Sequence, residues 1–173
     1  MSAGTKLRRL PWAGEDGRPV YLAETDSEGA RQVAAMADSV ECLRVRACSA
    51  LLDLLPERLA AAGRDAVRTR HLAVRLLRAL AEVMTVAVCR GERLAEADWS
   101  ADSEEERRLV VSRGLLGDAL RVLDDPDAPV EAVALLVERL AEAVRDTLAA
   151  AEVRGARLGP DGGGPRCGKG ACG

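Results

Sequence analysis

The sequence predicts an all-α protein: an antiparallel four-helix bundle made of two tandemly duplicated helical hairpins, with a short N-terminal arm and a disordered C-terminal tail. Three observations carry this. Apolar residues recur at steps of three and four through most of the chain. Residues 50–94 align on 114–158 at a constant offset of 64 without a gap. Hydrophobic residues make up 48% of the 173, enough for a core in one domain, and the 31% that are charged can cover it.

The offset aligns identical letters along its whole length. Leu51, Leu52 and Leu59 fall on Leu115, Leu116 and Leu123, and Leu72, Arg75, Leu76 and Ala79 on Leu136, Arg139, Leu140 and Ala143. Each copy closes on the same pattern, Arg90-Gly91-x-Arg93-Leu94 and Arg154-Gly155-x-Arg157-Leu158. The domain boundaries follow: an arm over 1–28, a helical body over 29–158 with units 29–94 and 97–158, and a Gly-rich tail over 159–173.

In the arm, Asp16-Gly17 between short apolar runs signals a turn, so a small hairpin or ordered arm is expected, with Trp12 and Tyr21 against the helices. The first helix should bury Val33, Met36, Val40, Leu43, Ala47, Leu51 and Leu54. Pro56 interrupts it and Gly63 marks the turn. The return helix places Leu72, Leu76, Leu80, Val83 and Ala87 on one face and should stop at Gly91, a residue suited to a helix end.

The second unit opens with Ser103 and Glu106 at capping-box spacing. Leu109, Leu116, Leu120 and Leu123 form its stripe, although Gly114 and Gly117 weaken that helix. After the turn "DDPDAP", Val133, Leu136, Val137, Leu140, Val144, Leu148 and Ala151 line the last helix, which should end at Gly155. Neither hairpin buries its stripe alone, so two hairpins packed together are the natural solution.

The segments "LPWAGEDGRPVYL", "ADSVE", "RHLAVRLLRAL" and the RG-x-R-L ending run through residues 10–94. On these motifs that stretch resembles a group of small helical proteins of actinobacteria. The resemblance implies a helical hairpin behind an LPW…DG…YL arm, and it brings no activity and no site. A Cys often precedes the YL pair in that group; here the position is Val20.

Composition excludes several function classes. A net charge of −3 argues against nucleic acid as the partner of the whole chain. Trp12, Tyr21 and Trp99 are too few aromatics for a single-strand stacking platform. The 23 Arg against two Lys, with no Phe, Ile or Asn, read as the codon bias of a GC-rich genome rather than as phosphate binding. No apolar run approaches the roughly 18 residues of a membrane span, and no signal-peptide core follows the basic start. Five Cys without framework spacing fit a reducing compartment, so a cytoplasmic location is expected.

Candidate chemical motifs fail on context. Gly163, Gly168 and Lys169 match the fixed letters of a phosphate-binding loop, but no strand precedes them and no hydroxyl residue follows. Cys167 and Cys172 are two thiols without a neighbouring His, short of a tetrahedral zinc site. His71 is the single His, and antiparallel pairing about Gly63 sets Cys48 level with residue 79, about 12 Å beyond it. Cys42 and Cys89 should point away from the apolar stripes. No catalytic residue, cofactor-binding residue or metal ligand is expected, so the protein is read as a non-enzyme without a cofactor or small-molecule substrate.

One pattern stands out. Arg64, Arg68, His71, Arg75 and Arg78 follow at steps of four, three, four and three, which stacks them on one helix face. Residues 95–152 lean the other way, with fifteen Asp and Glu against six Arg. The bland reading is a solvated face, or pairing with Asp53 and Glu57 on the neighbouring helix. The functional reading is a docking face for an acidic protein surface, including self-association with the acidic half of a second copy. The expected function is therefore a protein-interaction or regulatory adaptor. A thiol- or metal-dependent sensor using the tail cysteines is the alternative, with a DNA-associated regulator third.

Overall fold

The computed structural model describes residues 6–95 and 103–162. It is mostly helical, with one small sheet. Strands β1 (Leu7–Ala13) and β2 (Pro19–Ala23) precede helices α1 (Glu28–Asp53), α2 (Leu55–Ala62), α3 (Ala66–Ala95), α4 (Ser103–Asp124) and α5 (Val130–Gly162). The arm is thus an antiparallel hairpin, which an all-α description leaves out.

Gly17 makes that hairpin's turn. Its φ of 74° is costly for residues with a side chain, and Asp16 Oδ1 accepts from the Arg18 amide at 3.1 Å. Leu7 pairs with Ala23 and Arg9 with Tyr21, and the register then breaks before Ala13 pairs with Pro19. The irregular stretch contains Pro11, which has no amide hydrogen to give to a ladder. Leu10 and Pro11 are buried and Trp12 partly so, while Tyr21 stays half exposed instead of packing on the helices.

Ser27 caps α1 by accepting from the Ala30 amide at 3.2 Å. Pro56 enters at the first turn of α2, where its missing amide hydrogen costs nothing, so the chain breaks at Leu54 and resumes as a second short helix. Gly63 turns the chain with φ 53°. Asp65 then starts α3 by accepting from the amides of Val67 at 2.9 Å and Arg68 at 3.0 Å.

Helices α3 and α5 make the most extensive contact in the molecule. Their buried sets hold many alanines, among them Ala73, Ala79, Ala87, Ala141, Ala143 and Ala151, whose short side chains let two backbones come close. Helix α1 packs on α3 and on α5, α4 packs on the same two, and among the described residues α1 and α4 do not meet. Cys48 of α1 lies against Ala79 of α3, at the level antiparallel pairing predicts. Ser112 of α4 shares a buried hydrogen bond of 3.0 Å with Thr147 of α5.

The predicted stripes fare unequally. Those of α3 and α5 are buried at every named position. That of α1 is displaced: the buried residues are Ala37, Glu41, Cys42, Val45, Cys48 and Leu51, while Met36, Leu43 and Leu54 are exposed. On α4, Leu109, Ser112, Leu115 and Ala119 are buried and Leu120 is exposed. The inner helices have neighbours on both flanks, so their apolar faces have only one place to go. The outer helices carry apolar residues around more of their circumference, and spacing alone does not choose the inward side.

The predicted helix ends at Gly91 and Gly155 are also corrected. Helix α3 continues through Gly91 to Ala95, and α5 passes Gly155 before breaking at Gly159, where φ is 69°. The side chain of Ser103, the expected cap of α4, lies outside the described residues. So does the tail from residue 163, with Gly163, Cys167, Gly168, Lys169 and Cys172, and so does Trp99.

Candidate functional site

Of the arginine series, Arg68, His71, Arg75 and Arg78 lie on α3, while Arg64 falls in the turn before Ala66, so the helical row is shorter by one residue than the spacing predicts. Arg64, Arg68, His71 and Arg78 are exposed and Arg75 is half-buried. Arg64, Arg75 and Arg78 make no ion pair with any described residue. Arg68 pairs with Asp65 one turn away at 3.4 Å and donates to the Ala61 carbonyl at 3.0 Å. Asp53 and Glu57, the acids expected to neutralise the row, touch none of it. Arg70, off this row, serves the fold instead. It donates to the carbonyls of Leu123 and Asp125, both at 2.6 Å, where α4 ends without further amide partners.

A different set of arginines is consumed by the fold at the opposite end of α3. Arg90 Nε donates to Glu41 at 3.0 Å, and its Nη1 donates to the Ala151 carbonyl at 2.7 Å. Arg154 Nε donates to Glu105 at 2.5 Å, and its Nη1 donates to the Ala87 carbonyl at 2.8 Å. Each member of the first set lies 64 residues before its counterpart. Gly91 and Gly155 complete the exchange. A methyl group on Gly91 would sit 3.0 Å from the guanidinium carbon of Arg154, and one on Gly155 would sit 3.0 Å from that of Arg90. These glycines admit a buried guanidinium between two helices, which is why neither ends its helix.

Around this crossing the charges are buried and paired. Glu41 is 1% exposed and also accepts from Arg93 at 2.7 Å. Asp38 pairs with Arg8 from β1 and with Arg93 at 3.2 Å. The hairpin is thereby tied to α1 and α3 by charge as well as by Leu10 and Pro11. Sequence reasoning missed Glu41 and Glu105, although they too stand 64 apart, because the identities weaken before residue 50.

The thiols are not poised for chemistry. Cys48 and Cys89 are buried and free, with Cys89 facing the Leu10 carbonyl at 3.5 Å. Burial, aided by Glu82 near the first and Glu41 near the second, pushes both up to about 11, so both are neutral thiols at pH 7. Cys42 and Cys89 were expected to point outward; both are buried, Cys89 because β1 covers the face that the helix pattern leaves open. Cys42 is disulfide-bonded and so is not one of the free thiols. His71 is exposed and Cys48 points at Ala79, so the two form no nucleophile pair.

A cavity of about 360 Å³ opens between the hairpin, α1 and α3, lined by Arg9, Trp12, Pro19, Arg44, Glu82 and Thr85 among others. Its two guanidinium groups are already engaged, Arg9 with Glu92 at 2.9 Å and Arg44 with the Pro11 carbonyl. Its cations are thus committed to the protein itself. Among the described residues no cluster of His, Cys, Asp and Glu could hold a metal ion. No described helix is long and apolar enough to cross a membrane.

Against known proteins the chain stands apart: no family model, curated protein or solved structure matches it. The functional argument therefore rests on its own geometry.

Proposed function

We propose that this protein is a non-catalytic interaction adaptor of the cytoplasm, which presents the outer face of α3 to an acidic protein partner. The body is read as an antiparallel four-helix bundle grown from two copies of one hairpin. The reciprocal Arg90–Ala151 and Arg154–Ala87 contacts support that duplication, as do Glu41 and Glu105 at the same offset. The likeness of residues 10–94 to the actinobacterial helical group belongs to the same proposal.

The observation that carries the docking reading is a contrast. Arg8, Arg93 and Arg154 are buried and Arg90 is largely so, all against acids of the same chain, whereas Arg64 and Arg78 stand exposed and in no ion pair with a described residue. Exposed cations spaced along one helix, with Arg68 alone of the row in an ion pair among the described residues, give an acidic surface both register and attraction. Nucleic acid is the weaker fit for the row, since the chain as a whole is acidic.

A second reading, a thiol- or metal-dependent sensor using Cys167 and Cys172, draws support from Cys42, whose disulfide makes oxidation state relevant to this chain. One set of assays on the full chain separates the readings. An adaptor captures a defined protein from extracts of its native source and releases it as salt rises. A sensor binds zinc or changes state with oxidant and reductant, and a DNA regulator shows salt-dependent retention on DNA. Zinc binding or DNA retention without a protein partner overturns the adaptor reading.

A further inference from the structure

Helix α1 has two apolar faces, and the fold covers one of them. The other face runs Val33, Met36, Val40, Leu43, Ala47, Ala50 and Leu54, at alternating steps of three and four over three heptads, with Val33 and Val40 half-buried. Met36 is 53% exposed, Leu43 64% and Leu54 44%, and Ala47 and Ala50 are exposed between them. The positions of α4 at the same offset of 64 from Leu43, Ala47, Ala50 and Leu54 are Arg107, Val111, Gly114 and Asp118, a mixture expected of a face in water. A heptad seam is the pattern by which one helix pairs with another, and among the described residues no second helix covers Met36, Leu43 or Leu54.

The edge of the seam says what covers it. Arg46 and Asp53 lie seven residues apart on the same side of the stripe, both exposed and neither in an ion pair with a described residue. Seven residues is about 10.5 Å along a helix, too far for the two to meet each other. We propose that α1 pairs antiparallel with α1 of a second copy of this chain, about a two-fold axis near residues 48–49. That arrangement overlaps residues 43–54 of both copies, with Val33, Met36 and Val40 beyond the pairing, and sets Ala47 opposite the partner's Ala50, Leu43 opposite the partner's Leu54, and Arg46 beside the partner's Asp53. Small side chains then meet at the centre, where the helices come closest, large ones meet on either side, and one edge carries two opposite-charge pairs related by the axis. A two-fold interface requires a patch complementary to itself, and this stripe meets that requirement in shape and in charge. A parallel pairing satisfies the apolar layers but leaves Arg46 and Asp53 without each other. The inference is independent of the α3 docking face, which lies on another helix.

Sedimentation equilibrium of the full chain tests it. The wild type is a dimer with Kd of roughly micromolar order. Leu43→Glu, at an exposed position, gives a monomer with unchanged helical circular dichroism. Arg46→Glu and Asp53→Arg each place like charges together and raise Kd by ~10-fold or more, while the double variant R46E/D53R restores the wild-type value. A monomeric wild type at ~100-fold the expected Kd overturns the proposal. So does a dimer that survives Leu43→Glu, which would use another face, and so does a double variant no tighter than the singles, which would mean a different register.

Discussion

Two populations of arginine divide the chemistry of this chain at the residue scale. Neighbours rather than residue type decide which is which. Arg90 and Arg154 lie where acids and carbonyls of other helices converge, so their charges are spent inside the protein. Glu41 is the most burdened acid, nearly inaccessible and held by Arg90 and Arg93. Removing one partner of such a set leaves buried cations uncompensated. Glu41→Ala is expected to lower stability by about 3–5 kcal/mol, read from urea unfolding. The buried thiols make a second prediction. Cys48 and Cys89 ordinarily titrate near 9.0 and are pushed up to about 11 in the native state. Folding therefore favours their protonated forms: that contribution is complete below pH 9 and is lost as pH rises through 11. The loss is on the order of 2 kcal/mol per thiol. Stability of the wild type should fall across this window more steeply than that of a Cys48→Ala/Cys89→Ala variant. Parallel curves would mean that the two sites are not desolvated.

Glycine shows what a whole element requires. Gly91, Gly114, Gly117 and Gly155 sit inside long helices, and their surroundings assign them opposite signs. A methyl group at Gly114 or Gly117 meets nothing within 4 Å, so replacement by Ala should stabilise α4 by roughly 0.5–1 kcal/mol through helix propensity. At Gly91 the same gain is opposed by displacement of Arg154, which is buried and bonded to Glu105 and Ala87. Gly91→Ala should therefore destabilise by about 1–3 kcal/mol, as overpacking does. Thermal unfolding of the variants checks the contrast in sign. The same positions mark where sequence reading reaches its limit. The RG pairs are legible as a repeated ending, yet Gly read locally is a helix stop, and only the contact between α3 and α5 reveals it as space for a guanidinium. The stripes of α3 and α5 are legible because those helices are enclosed on several sides. Those of α1 and α4 are not, because an outer helix with apolar residues on two faces offers spacing no basis for choosing between them. The arm is half legible: Asp16-Gly17 announces its turn, but its covering of Cys89 is a long-range contact that no local pattern encodes.

Over the whole molecule, the charges sort by position. Acids and arginines close one end around the Arg90–Arg154 crossing, the other end of α3 and the turn before it offer Arg64, Arg68, His71 and Arg78 to solvent, and the thiols of Cys48 and Cys89 lie inside. Among the described residues a basic face of α3 and an apolar face of α1 are exposed. The α3 row was legible in the sequence as a row. Its freedom from Asp53 and Glu57 was not, since that depends on how far the α2 break carries those acids from it. The account turns on whether the α3 row serves association and not folding, and one paired measurement on Arg64→Glu/Arg78→Glu decides this: urea unfolding and partner affinity on the same preparation. Exposed charges outside buried networks shift stability by less than about 0.5 kcal/mol, while reversal of rim charges slows association and weakens its salt dependence. The account predicts an unfolding free energy within that margin and a partner affinity reduced ~10-fold or more. A variant that unfolds, or one that binds its partner as tightly as the wild type, contradicts it.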